Sequence, residues 1–63
     1  MKVYIEKTNQ KKNLSAKTVE ELLHKLGINP DTVLISKNNK IVLLDEKLSD
    51  ADEVNILSVV SGG

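Results

Sequence analysis

The chain has 63 residues, 40% of them hydrophobic, with no cysteine, a single histidine, and nine lysines balanced by nine carboxylates. That length allows one domain, which buries only about 60% of the surface its unfolded form exposes, and the missing cysteines exclude a disulfide staple. Zero net charge argues against nucleic acid as the main partner, because phosphate binding needs a basic surface.

At the N-terminus, Lys2-Val3-Tyr4-Ile5-Glu6 alternates polar and apolar residues. This period of two is the pattern of a strand with one buried face, with Val3 and Ile5 inward and Tyr4 outward. Polar residues follow from Lys7 to Asn13, and Asn9 is a natural turn former. A second strand is expected around Leu14, returning antiparallel as an edge whose lysines discourage sheet-to-sheet association. No apolar run reaches the ~18 residues of a membrane span, and no secretory apolar segment stands at the start, so the expectation is a cytoplasmic protein without a membrane partner.

The helix is the clearest element. Val19, Leu22, Leu23 and Leu26 recur at i, i+3, i+4 and i+7, so one stripe of the segment Val19 to Leu26 is apolar. All three leucines are expected to be buried. Thr18 and Glu21 have the spacing of a capping box, in which each side chain satisfies a backbone N–H at the helix start. Gly27 suits the left-handed residue that ends a helix, and Pro30 blocks continuation. His24 falls on the polar side of the stripe, with no second ligand or nucleophile at hand.

Beyond the helix, Val33-Leu34-Ile35-Ser36 reads as a strand, Lys37-Asn38-Asn39-Lys40 as a tight turn, and Ile41-Val42-Leu43-Leu44 as the returning strand. An acidic loop follows, carrying Asp45, Glu46, Asp50, Asp52 and Glu53 with Leu48 as its core anchor. These carboxylates oppose a lysine-rich first third (Lys2, Lys7, Lys11, Lys12 and Lys17), and both groups read as solvated patches. The last element, Val54 to Val60, is strongly β-forming and leads into Ser61-Gly62-Gly63.

The predicted order is β-β-α-β-β-β. The first and last strands are the most apolar long ones and are expected side by side at the centre. If they run parallel, the helix supplies the long crossover that a parallel pair requires. The expected fold is therefore α+β, a ubiquitin-like β-grasp with a mixed sheet of four or five strands and one packed helix. The domain should occupy residues 1–60, with residues 61–63 as a flexible tail.

One helix covers one face of a sheet, so the other face is left for partners. With Val54 and Ile56 inward, alternation turns Leu57 and Val59 outward near Tyr4. These three form the candidate docking patch, unless a bulge near Ser58 exchanges the faces.

No catalytic constellation or metal-ligand spacing is visible, and an enzyme is not expected. What remains is the terminus. Gly62 and Gly63 carry no Cβ, so a carboxylate on Gly63 can be threaded through a narrow channel in a partner. A carboxylate becomes electrophilic once an oxygen is converted into a leaving group, such as AMP derived from ATP. The acyl-adenylate then accepts sulfur, giving a thiocarboxylate, or passes to an amine.

In this light the sequence resembles the ubiquitin-like sulfur carriers: the thiamine-pathway carrier, the molybdopterin synthase small subunit and the small archaeal modifier proteins. The resemblance rests on Thr18-Val19-Glu20-Glu21-Leu22-Leu23, on the stretch from Leu26 to Ile35, and on the stretch from Leu48 through Gly62-Gly63. Before the glycines, Ser58-Val59-Val60-Ser61 departs from the Pro-Pro-Val-Ala end of molybdopterin members, while Asn29-Pro30 is closer to the archaeal modifiers. The resemblance implies adenylation of Gly63 by a ubiquitin-activating-type enzyme. It also implies a sulfur donor and an acceptor, either an enzyme of thiamine synthesis or tRNA thiolation or the lysines of target proteins. No cofactor is expected on the chain itself, since ATP is used by the activating enzyme, and a monomer is expected. The alternative is a non-covalent β-grasp interaction module.

Overall fold

The computed structural model describes residues 1–59. The expected tail, 61–63, and the expected domain boundary at residue 60 lie outside them. Five strands and one helix follow one another: β1 (Lys2–Ile5), β2 (Gln10–Asn13), α1 (Val19–Leu26), β3 (Val33–Lys37), β4 (Lys40–Val42) and β5 (Glu53–Ser58). Single turns of 3₁₀ helix, Glu6–Thr8 and Pro30–Thr32, precede β2 and β3.

The strands form one sheet in the order β2-β1-β5-β3-β4. β1 and β5 are parallel and every other neighbouring pair is antiparallel. The first and last strands therefore meet in the interior of the sheet, and α1 lies within the crossover between them. This is the ubiquitin-like β-grasp expected from the element order. β2 is an edge strand as anticipated, although it ends at Asn13, one residue short of Leu14. The Leu14 N–H instead reaches the Met1 carbonyl at 3.2 Å.

The core lies between α1 and one face of the sheet. Val3, Ile5, Ile35, Val54 and Ile56 point inward and meet Val19, Leu22 and Leu23 of the helix, all buried. Full burial of such aliphatic side chains is worth about 1.5–3 kcal/mol each, which is the main compensation for chain entropy in so small a domain. Leu48 packs against this cluster from the acidic loop, as expected. Leu26 differs from expectation: it is half-buried, because the last helical turn overhangs a cleft at the end of the sheet rather than its centre.

The ends of α1 show why the chain after β4 leaves the sheet. The first N–H groups of a helix have no partner within it. Here the Thr18 hydroxyl accepts from Glu21 N–H at 3.2 Å, while the carbonyls of Glu46 and Leu44 accept from Val19 and Glu20 at 3.1 and 3.0 Å. The predicted strand 41–44 therefore stops at Val42, and the chain turns so that its carbonyls complete the helix start. The capping box is half formed. Among the described residues the Glu21 carboxylate does not return to Thr18; it lies 3.5 Å from Lys25. At the other end Gly27 takes φ 69° and its N–H bonds back to the His24 and Leu23 carbonyls, the left-handed cap read from the sequence.

Candidate functional site

The sheet face away from α1 is built by strand pairing. One residue from each strand falls into a single row across it: Lys11, Tyr4, Asn55, Ser36 and Ile41. Beside this row Leu57 stands opposite Leu34 in the β3–β5 pair. Directly paired residues project to the same side of a sheet, so these side chains share the face away from α1; Ser36 is buried within it, and the others are half-buried or exposed. Leu34 is 46% exposed and Ile41 60% exposed. Tyr4 is half-buried, and its hydroxyl donates to Asn9 Oδ1 at 2.7 Å, which fixes the ring over the β1–β2 connection.

Of the predicted patch, Tyr4 and Leu57 therefore occur on this face, with Val54 and Ile56 inward as required. Val59 stands apart. It lies one residue beyond β5, its N–H donates to the Thr32 carbonyl at 3.1 Å, and it borders a cleft shared with Ile5, Leu26, Ile28 and Ile56. Because Asn55 is the partner of Tyr4, Val59 is four residues farther along the chain, past the end of β5 and about 13 Å from Asn55.

Sequence reasoning missed Leu34 and Ile41. The available signal was the apolar runs Val33-Leu34-Ile35 and Ile41-Val42-Leu43-Leu44, richer than a strand with one buried face needs. Leu43, one residue past the end of β4, is 76% exposed.

The chemistry-bearing side chains are scattered. Among the described residues there is no group of three or more His, Cys, Asp or Glu side chains able to hold a metal ion. No helix among them is long and apolar enough to cross a membrane. His24 is exposed. The acidic loop is organised internally: the Asp52 carboxylate accepts from the Ser49 N–H at 2.8 Å and from the Asn38 side-chain amide at 3.0 Å. These hydrogen bonds, the backbone one foremost, hold the Asp52 carboxyl below the usual carboxylate range. These contacts make Asp52 the clasp of a turn tied to the β3–β4 hairpin. The remaining candidates, Gly62 and Gly63, lie outside the described residues.

Comparison with known families decides the affiliation. Residues 2–63 match the ThiS family. The chain belongs to that family. Membership agrees with the five-stranded sheet and single helix, and places the chain among the ubiquitin-like β-grasp sulfur carriers that its helix start and terminal stretch resemble. One relative, the sulfur carrier protein TtuB of Thermus thermophilus, is 33% identical over 45 residues, covering 71% of this chain and 69% of the relative. A second, an uncharacterized protein of Archaeoglobus fulgidus, is 44% identical over 43 residues, 68% of this chain and 63% of that protein.

Proposed function

We propose that this member of the ThiS family is a sulfur carrier whose working group is the Gly63 carboxylate. The observation that carries the reading is that the family match runs through residue 63 and so includes the diglycine. The similarity to TtuB supports it.

The chemistry proceeds in two displacements. A carboxylate oxygen of Gly63 attacks the α-phosphorus of ATP in the active site of an adenylating enzyme, and pyrophosphate leaves. Hydrosulfide released by a sulfur donor then attacks the acyl carbon, AMP departs with the bonding pair, and a thiocarboxylate remains. In the second use of the same acyl-adenylate, a neutral lysine amine attacks the acyl carbon, AMP departs with the bonding pair, the nitrogen loses a proton and an isopeptide bond forms. Beyond the Gly63 carboxylate, the chain is not called on for an acid, base or nucleophile in either step. It contributes a stable domain to be recognised, through a face that includes Tyr4 and Leu57, and a terminus slim enough to enter the channel.

Intact mass spectrometry tests this. Incubated with ATP, an adenylating enzyme from the same genome and a sulfur donor, the chain should gain the mass difference between sulfur and oxygen, and the chain lacking Gly63 should gain nothing. A truncated chain that still supports the cellular pathway would favour the non-covalent interaction module instead.

A further inference from the structure

The two edges of the sheet are unlike. β2, at one edge, exposes Gln10, Lys11, Lys12 and Asn13, and edge lysines discourage pairing with another chain. β4, at the other edge, runs into an apolar stretch in which Ile41, Leu43 and Leu44 are all exposed. Three of the five exposed large hydrophobic side chains among the described residues thus fall within four positions. The backbone of this edge is open as well. Lys37 and Lys40 flank the two-residue turn Asn38-Asn39 as a hydrogen-bonded pair, so the next pair, Ser36 and Ile41, is a non-hydrogen-bonded one. The Ile41 N–H and carbonyl therefore point away from β3, toward the free edge. By the same period of two, the Leu43 N–H points that way too.

We infer that the β4 edge pairs with the β4 edge of a second copy of this chain, antiparallel and related by a two-fold axis. The segment is self-complementary in that arrangement. With Val42 on the axis, Ile41 of each copy stands opposite Leu43 of the other, and the exposed side chains cover one another. The outward N–H and carbonyl of Ile41 then meet the carbonyl and N–H of Leu43. The charges agree with this direction. Lys40 precedes the apolar stretch and Asp45 follows it, both exposed, and among the described residues neither belongs to an ion pair. An antiparallel copy brings Lys40 of each chain toward Asp45 of the other, whereas a parallel copy would set like charges side by side. The Leu43 carbonyl already accepts from the Glu46 N–H at 3.1 Å, and it keeps a second lone pair for the pairing. That same bond turns the chain after Leu43, which keeps the new ladder short. So small a contact belongs to the weak class below about 1,200 Å² of buried surface, and the dimer forms only at high concentration. The inference does not rest on the carrier reading, because β3 stands between β4 and β5, the strand that leads to Gly63.

Sedimentation velocity of the full chain from ~20 µM to ~1 mM tests this, and the sedimenting species should pass from monomer toward dimer over that range. Leu43→Asp should hold the chain monomeric throughout. Ile41→Pro removes the outward N–H without taking a hydrogen bond from the β3–β4 ladder, and should also abolish the dimer. Ile41→Val keeps that donor and most of the apolar surface, and should still dimerise. Lys40→Glu should weaken association several-fold at low salt, and Lys40→Glu/Asp45→Lys should restore it. Circular dichroism of each dilute variant checks that the domain is folded. A chain that stays monomeric at the highest concentration overturns the inference and leaves the edge to a different protein. Dimers that survive both Leu43→Asp and Ile41→Pro overturn it as well. A charge swap that associates no more tightly than Lys40→Glu alone overturns the antiparallel pairing.

Discussion

Leu34 stands directly opposite Leu57 across the β3–β5 pair, on the face that the helix leaves bare. Each neighbour in the chain tells the same story in reverse: Ile35 and Ile56, also partners, are 4% and 1% exposed. The sheet therefore has two apolar surfaces, one filled by α1 and one open. Apolar groups gathered on an open face mark an interaction surface when they adjoin one another.

For Leu57 the expected result is a separation of binding from folding. Leu57→Asp places a charge on the open side, where water reaches it, so the urea midpoint should move little. Binding to the adenylating enzyme should fall at least tenfold, the size of effect usual for a central interface side chain. A collapse of the folded signal in circular dichroism would show that Leu57 belongs to the core.

The start of α1 offers a measure of the cap. Thr18→Ala removes the acceptor of Glu21 N–H and should cost about 0.5–2 kcal/mol. Glu21→Ala should cost less, because its carboxylate meets only Lys25 in an exposed i,i+4 pair worth about 0.3–0.5 kcal/mol. Equal shifts of the denaturation midpoint for the two variants would restore the full capping box.

Acid should loosen the loop that ends at Asp52. Its carboxyl titrates below its unfolded-state value because Ser49 N–H and the Asn38 amide favour the charged form. A depressed carboxyl contributes stability that is fully present above the unfolded value, ~4, and is lost as pH falls through the folded one. The difference in stability between the unaltered chain and Asp52→Ala should therefore be largest near neutrality and shrink below about pH 4. Urea titrations of both proteins between neutral and strongly acidic pH read this directly, and a constant difference would remove Asp52 from the acid response.

Bulk at the penultimate position should affect chemistry and leave stability alone. Gly62→Val adds a β-branched side chain to the segment that must thread the partner's channel, so thiocarboxylate yield should fall strongly. The thermal midpoint should be nearly unchanged, since a glycine has no side chain to lend to a core. Full activation of Gly62→Val, followed by mass, would mean that the channel has room and that only the Gly63 carboxylate is required.

The sequence by itself determined the local elements, because their signals are local. The helix from Val19 to Leu26 is written in a stripe four residues long and bounded by Thr18 and Gly27. The hairpin turn is written in Asn38 and Asn39, which take φ 52° and 71°, values that asparagine tolerates. Inward Val3, Ile5, Val54 and Ile56 follow from alternation alone. The terminal glycines, too, are legible only as sequence. Tertiary structure decided what depends on partners distant in the chain. Ile41 shares a row with Lys11 only because β1, β5 and β3 stand between them. The strand 41–44 stops early because α1 needs the carbonyls of Leu44 and Glu46. Val59 leaves the patch because β5 ends at Ser58. Hydrophobic periodicity tells which side of a strand is buried, but it cannot tell which strands will be neighbours, and a surface made by five strands exists only once they are.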